Sequence, residues 1–131
     1  MVDDEGVDLA FNLKGTPKAL AVQVKSRFAS KKSGRRTFSA RIRRKVFRPR
    51  SDLYVLFVLF DDVETFDIEH MWLVPSLKFQ ELTAGQTEGR SRLVFAVSTG
   101  GTANRWVPYH CGRRDLADRI VAAIQELHGE Q

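Results

Sequence analysis

Cysteine occurs once in these 131 residues, at Cys111, so no intramolecular disulfide can form and the fold has to be held by its core. The thiol follows His110, but neighbours on an extended segment point to opposite faces. That argues against a nucleophile and base pair and for a buried spectator. The three histidines, His70, His110 and His128, are scattered without ligand spacing, so no zinc site is expected. No apolar run approaches the length of a membrane span. The first residues are acidic rather than basic and then apolar, so no secretory leader is expected and the predicted location is cytoplasmic. The Gly pair in residues 99–104 lacks the spacing and lysine of a phosphate-binding loop. One further absence shapes the reading most: from Lys25 to Arg50 there is no Asp or Glu.

That segment holds twelve of the 21 cationic residues, while the other nine face all 16 carboxylates. The net charge of +5 is therefore +12 in one stretch and −7 elsewhere. Such asymmetry points to a polyanionic partner, DNA in the first place and RNA in the second, rather than to general solubility. Arg27, Lys31, Lys32, Arg35, Arg36, Arg41 and Arg43 are the candidate phosphate contacts, because arginine pairs bidentately and a basic arm needs no order to meet a phosphate backbone. With 43% hydrophobic and 28% charged residues, the chain reads as one globular domain over residues 1–131.

Organisation starts at Val7 to Arg27. Val7, Leu9, Phe11 and Leu13 alternate with polar or small residues, as do Leu20, Val22 and Val24 after a turn with Gly15 and Pro17. Two strands of a hairpin are predicted. The apolar faces match if Leu13 opposes Leu20, which puts Asp8 across from Lys25, or with a two-residue slip that puts Asp8 across from Gln23. In either register Asp8, Gln23 and Lys25 share one patch. A carboxylate, an amide oxygen and an ammonium on one sheet face suit metal-assisted phosphodiester hydrolysis. The oxygens hold a hard divalent cation while the lysine orients a water or stabilises charge on the phosphate. The bland alternative is a solvent-facing Asp and Lys pair across a hairpin.

Asp8, the turn, and Gln23-Val24-Lys25-Ser26 resemble the Asp…(Glu/Gln)-x-Lys signature of the PD-(D/E)xK nuclease superfamily, in the subset with Gln in place of Glu. The later runs DLYVLFVLFDD and MWLVPS are similar to small microbial members of that group. The resemblance implies Mg²⁺ or Mn²⁺ held by Asp8, Gln23 and the main-chain carbonyl of Val24, with Lys25 acting in catalysis. It also implies a restriction-endonuclease-like fold. Only seven residues precede Asp8, so the family's N-terminal helix is expected to be missing, and the domain to be truncated or inactive if that part is required.

Thr37 to Arg43 alternates an apolar with a basic face and predicts a strand. Leu53 to Phe60 is apolar throughout and predicts a central strand covered on both sides. Phe66 to Val74 predicts its partner, Ser76 a cap on a short helix over residues 77–82, and Arg92 to Ser98 a further strand. Trp106 and Tyr109 read as anchors rather than base-stacking rings. Asp115 to His128 carries Leu116, Ile120, Ala123, Ile124 and Leu127 on one helical stripe. The fold class is α+β, or α/β in the broad sense: a mixed β-sheet with a C-terminal amphipathic helix.

The expected function is metal-dependent hydrolysis of DNA. The alternatives are a non-catalytic nucleic-acid-binding module and a domain that docks an acidic protein through residues 25–50. An uncovered edge at the first strand predicts self-association as a homodimer or a longer natural product.

Overall fold

In the computed structural model, residues 8–12, 14–15, 19–28, 37–60, 68–85, 92–98 and 105–129 are described. The elements run β1 (Leu9–Phe11), β2 (Leu20–Phe28), β3 (Thr37–Arg43), β4 (Leu53–Phe60), β5 (Ile68–Pro75), α1 (Ser76–Thr83), β6 (Arg92–Ser98), a 3₁₀ turn (Val107–Tyr109), β7 (His110–Cys111) and α2 (Arg113–Gly129). Strands and helices are both present and the class is α+β, as predicted. No helix among the described residues is long and apolar enough to cross a membrane.

Five strands form one sheet in the order β1-β2-β4-β5-β7, and β3 pairs with β6 in a separate two-stranded ribbon. β2 and β4 are parallel, and the other pairs are antiparallel. The apolar run of β4 sits between β2 and β5, where both its faces are covered, which is why it needs no alternation.

Each face of the sheet has its own core. On one side Leu20, Val22, Leu56, Val58, Met71 and Leu73 meet Ile120, Ala123, Ile124 and Leu127 of α2. The predicted helical stripe is thus the buried one, and each large side chain in it contributes about 1.5 to 3 kcal/mol before entropy is counted. On the other side Val55, Phe57, Leu59, Trp72 and Val74 meet Ala40, Ile42, Leu93, Phe95 and Val97 of the ribbon, with Phe79 of α1 and Trp106. Here rings dominate: Phe57 stacks on Phe95 at 3.9 Å between centroids, and Phe95 lies 4.8 Å from Trp106. Trp106 is an anchor in this core and not an exposed stacking platform.

The hairpin adopts the slipped register. Leu9 pairs with Val22 and Phe11 with Leu20, so the pairing of Leu13 with Leu20 is corrected. A period-two pattern cannot tell a two-residue slip from its absence, because both keep the same side chains on the same face. The local determinant is Asp8, whose main-chain N–H donates to the Val22 carbonyl at 3.1 Å and whose carboxylate accepts from the Val24 N–H at 2.7 Å. The turn uses Gly15 at φ 87°, a conformation that a side chain would strain.

Ser76 does not cap α1, which begins without a side-chain cap. Its buried hydroxyl instead accepts from the Arg50 N–H at 2.9 Å and donates to the Arg50 carbonyl at 2.7 Å. It ties the helix start to the segment entering β4.

Candidate functional site

β2 supplies the site because it runs on past its neighbour. β1 covers residues 20–22, whereas β2 continues to Phe28 and pairs with β4 on its opposite edge from Ala21 to Phe28. Main-chain groups of alternate residues point to alternate edges of a strand. Ala21 donates its N–H on the β4 side, to the Asp52 carbonyl, and Val24 donates on the β1 side, to Asp8. The N–H and C=O of one strand residue leave on the same edge, so the Val24 carbonyl emerges beside the Asp8 carboxylate. The Ser26 carbonyl follows on that edge and accepts from the Arg27 guanidinium at 2.8 Å.

The strand pairing ends at Leu9 with Val22, and Asp8, just before it, bonds the main chain of Val22 and Val24 on either side of Gln23. Gln23 itself lies on the sheet face that carries Ala21 and Lys25 and lies under the ribbon. The result is not the expected open patch. Asp8 is exposed, but Gln23 is only 3% and Lys25 only 5% exposed. Ser76 and Thr83 are also buried polar residues, and their hydroxyls are satisfied by nearby main-chain carbonyls. Gln23 and Lys25 break an otherwise apolar face at two alternate positions of one strand. A buried polar side chain costs stability unless it is hydrogen-bonded or paired, which makes these two positions the candidates for a role beyond packing. The alternative of a solvent-facing Asp and Lys pair does not describe this arrangement.

Lys25 lines a cleft of about 300 Å³ together with Val24, Ser26, Arg27, Arg41, Arg43 and Arg92. Five of these seven side chains are cationic, and no carboxylate lines the cleft among the described residues. β3 contributes Arg41 and Arg43 because its other face, Ala40 and Ile42, is buried in the ribbon core. Arg43 pairs directly with Arg92 of β6. Like charges opposed across a strand pair oppose folding, and an anion bound between them offsets that cost. Arg92 was not among the residues singled out from sequence. Its only signal there is that it opens a strand, and its partner could not be named without the ribbon pairing.

The structure therefore brings Asp8, Gln23, the Val24 main chain and Lys25 into one short stretch of two strands, and joins Lys25 to Arg27, Arg41 and Arg43. Lys31, Lys32, Arg35 and Arg36 lie outside the described residues, as do the acidic residues 3–5 and Leu13. Among the described residues no three His, Cys, Asp or Glu side chains form a metal-binding group. The oxygens at hand are one carboxylate, one amide and one carbonyl. That is too little for an all-protein Ca²⁺ cage, but it suits Mg²⁺, which is commonly held by one or two carboxylates together with substrate phosphate and water. A carboxylate has about four acceptor directions, so the bond from Val24 does not exhaust Asp8.

Two residues dismissed as scattered turn out to be neighbours. His70 Nδ1 and His110 Nε2 are 2.8 Å apart, although 40 positions separate them in the chain. His110 and Cys111 do point to opposite faces, as expected for an extended pair. Cys111 is buried under α2, which pushes its thiol pKa up, with Asp115 adding to the rise and Arg119 and a Leu73 main-chain hydrogen bond opposing it. A protonated, buried thiol is no nucleophile.

Comparison with known proteins found no matching family model, no matching curated protein and no matching solved structure.

Proposed function

We propose that this chain is a metal-dependent phosphodiester hydrolase of the PD-(D/E)xK kind, acting on DNA held in the cleft between β2 and the ribbon. The observation that carries the reading is the Asp8 carboxylate fixed 2.7 Å from the Val24 N–H, directly beside a strand that buries Gln23 and Lys25 and opens into a five-cation cleft. Arg27, Arg41, Arg43 and Arg92 would hold phosphates on either side of the scissile one, with arginine forks matching phosphate oxygens. Asp8, Gln23 and the Val24 carbonyl would hold Mg²⁺ or Mn²⁺, which when bound supplies a nucleophilic water and charge stabilisation. Lys25, on the face next to Gln23, would orient the attacking water and stabilise the charge that grows on the phosphate. Burial of Lys25 holds it with little freedom, so its ordering is already complete before substrate arrives.

With one carboxylate amid five cations, metal affinity should depend on substrate. Phosphate bound in the cleft would both neutralise the arginines and complete the metal's oxygen shell. The test is DNA cleavage with Mg²⁺ or Mn²⁺ by wild type, Asp8→Ala and Lys25→Ala, with binding measured alongside. Lys25→Ala is expected to lose at least about a hundredfold in cleavage, the usual scale for removing one positioned charge-stabilising group, while DNA affinity changes only a fewfold. Equal cleavage by all three proteins would refute the hydrolase reading. DNA binding without metal-dependent cleavage in wild type would favour the non-catalytic binding module, which the cleft supports by itself.

A further inference from the structure

We propose that His70 and His110 form a two-imidazole clamp for a late divalent transition metal ion, Cu²⁺ or Ni²⁺ by preference, separate from the oxygen site at Asp8. His110 lies opposite Trp72 in the β5–β7 pairing, and His70 sits two residues before Trp72, so all three rings share the ribbon-side face of the sheet. The two facing nitrogens, His70 Nδ1 and His110 Nε2, are 2.8 Å apart. Metal–imidazole bonds of about 2.0 Å meeting at a right angle require donors about 2.8 Å apart, as in a square-planar site, whereas a tetrahedral zinc angle would require about 3.3 Å. The spacing is that of the pair's own hydrogen bond and equals the one a tetragonal Cu²⁺ or Ni²⁺ site needs, so the rings have to turn rather than separate.

In the absence of metal the pair shares one hydrogen along the line between the nitrogens. Metal binding needs both lone pairs to turn toward one point. The exposed His110 ring can make most of that adjustment, since it stands on a two-residue edge strand. The shared hydrogen moves to the far nitrogen of its own ring, so two neutral imidazoles bind without a net loss of protons. Arg119 donates to the carbonyls of Pro108 and His110, holding β7 in place. Hard Mg²⁺ has no preference for imidazole, so the clamp and the Asp8 site would not compete for one ion.

Trp72 provides a built-in reporter, since its ring centroid is 5.3 Å from that of His110 and 5.7 Å from that of His70. The experiment titrates the full chain with CuCl₂ or NiCl₂ in excess MgCl₂, reading calorimetry, tryptophan quenching by Cu²⁺ and melting temperature. Wild type is expected to bind one equivalent, with quenching and a rise in melting temperature. His110→Gln and His70→Gln should each weaken binding by about a hundredfold, because losing one arm removes the effective-concentration gain of the other. Cys111→Ser and His128→Gln should bind as wild type. His110 is exposed, so His110→Gln decides the matter even if His70→Gln fails to fold. Unchanged affinity in His110→Gln, loss of binding in Cys111→Ser, or displacement by Mg²⁺ would each overturn the clamp.

Discussion

The two faces of the central sheet are built from the same strands yet do different work. Toward α2 the fully buried contacts are aliphatic, Leu, Ile, Val, Ala and Met with Cys111, the rings of Phe11, Tyr54 and Phe60 pack only at its margin, and among the described residues no charged side chain is buried there. Toward the ribbon they are aromatic at the centre and polar at both ends. One lateral row there reads Lys25, Phe57, Trp72, His110, and strand by strand it passes from the basic cleft through the stacked rings to the histidine pair. Both faces hold the fold together, and the aromatic face also carries the two proposed sites. A helix with a single apolar stripe can only cover a sheet, whereas a two-stranded ribbon buries one face and presents its other face, Arg41 and Arg43, beside the sheet edge.

The division is most severely tested by paired core deletions. Phe95→Ala removes a fully buried ring stacked on Phe57 and should cost about 3 to 5 kcal/mol, while Leu127→Ala on the buried stripe of α2 should cost about 2 to 5. Urea unfolding gives both values. In conditions where both variants remain folded, Phe95→Ala should also weaken DNA binding, because it loosens the ribbon that carries Arg41, Arg43 and Arg92. Leu127→Ala should not. Equal loss of affinity in the two would show that the faces are not separate.

A smaller effect sharpens the cleft itself. Arg41→Gln with Arg43→Gln removes two cations from the exposed face of β3, so the log–log salt slope of DNA binding should flatten by about 1.8. Between about 50 and 200 mM salt, the double variant should then lose roughly tenfold less affinity than wild type does. An unchanged slope would place the phosphate contacts elsewhere.

The smallest effect lies at the other end of the row. His110 has its pKa lowered, first by burial and then by the charges of His70 and Arg119. The unfolded chain therefore binds the proton more readily, so stability attributable to this ring is present above about pH 6.5 and is lost as pH falls through its lower folded pKa. Chemical denaturation from pH 7.5 to 5 should show a shallower loss in His110→Gln than in wild type. The difference should be slight, since the ring is largely exposed to solvent.

What was legible in the sequence follows physical range. The α2 stripe, the basic face of β3 and the doubly covered β4 are each written in a single window of periodicity, and each is present. The convergence of Asp8 with the Gln23 to Lys25 stretch was also readable, because a hairpin is local. Its register was not, since Asp8 itself selects between two slips that leave every apolar side chain in place. The burial of Gln23 and Lys25 could not be read either. It depends on a ribbon whose second strand begins at Arg92, and nothing near residue 23 encodes that cover. His70 and His110 were misjudged for the same reason, because ligand spacing describes helices and turns and not diagonal neighbours on paired strands.

The ribbon also has a consequence in time. β3 waits for β6 while β4 and β5, lying between them in the chain, take up places in the five-stranded sheet, and α1 packs Phe79 into the core between the two layers. Pairings between distant segments pay their loop-closure entropy before any contact rewards it, and they slow folding accordingly. During synthesis Lys25 and Arg27 leave the ribosome long before Arg92, so the early chain carries cations without the groove that organises them. The cleft exists only once β6 has joined, so its five cations are gathered late, when Arg92 takes its place opposite Arg43.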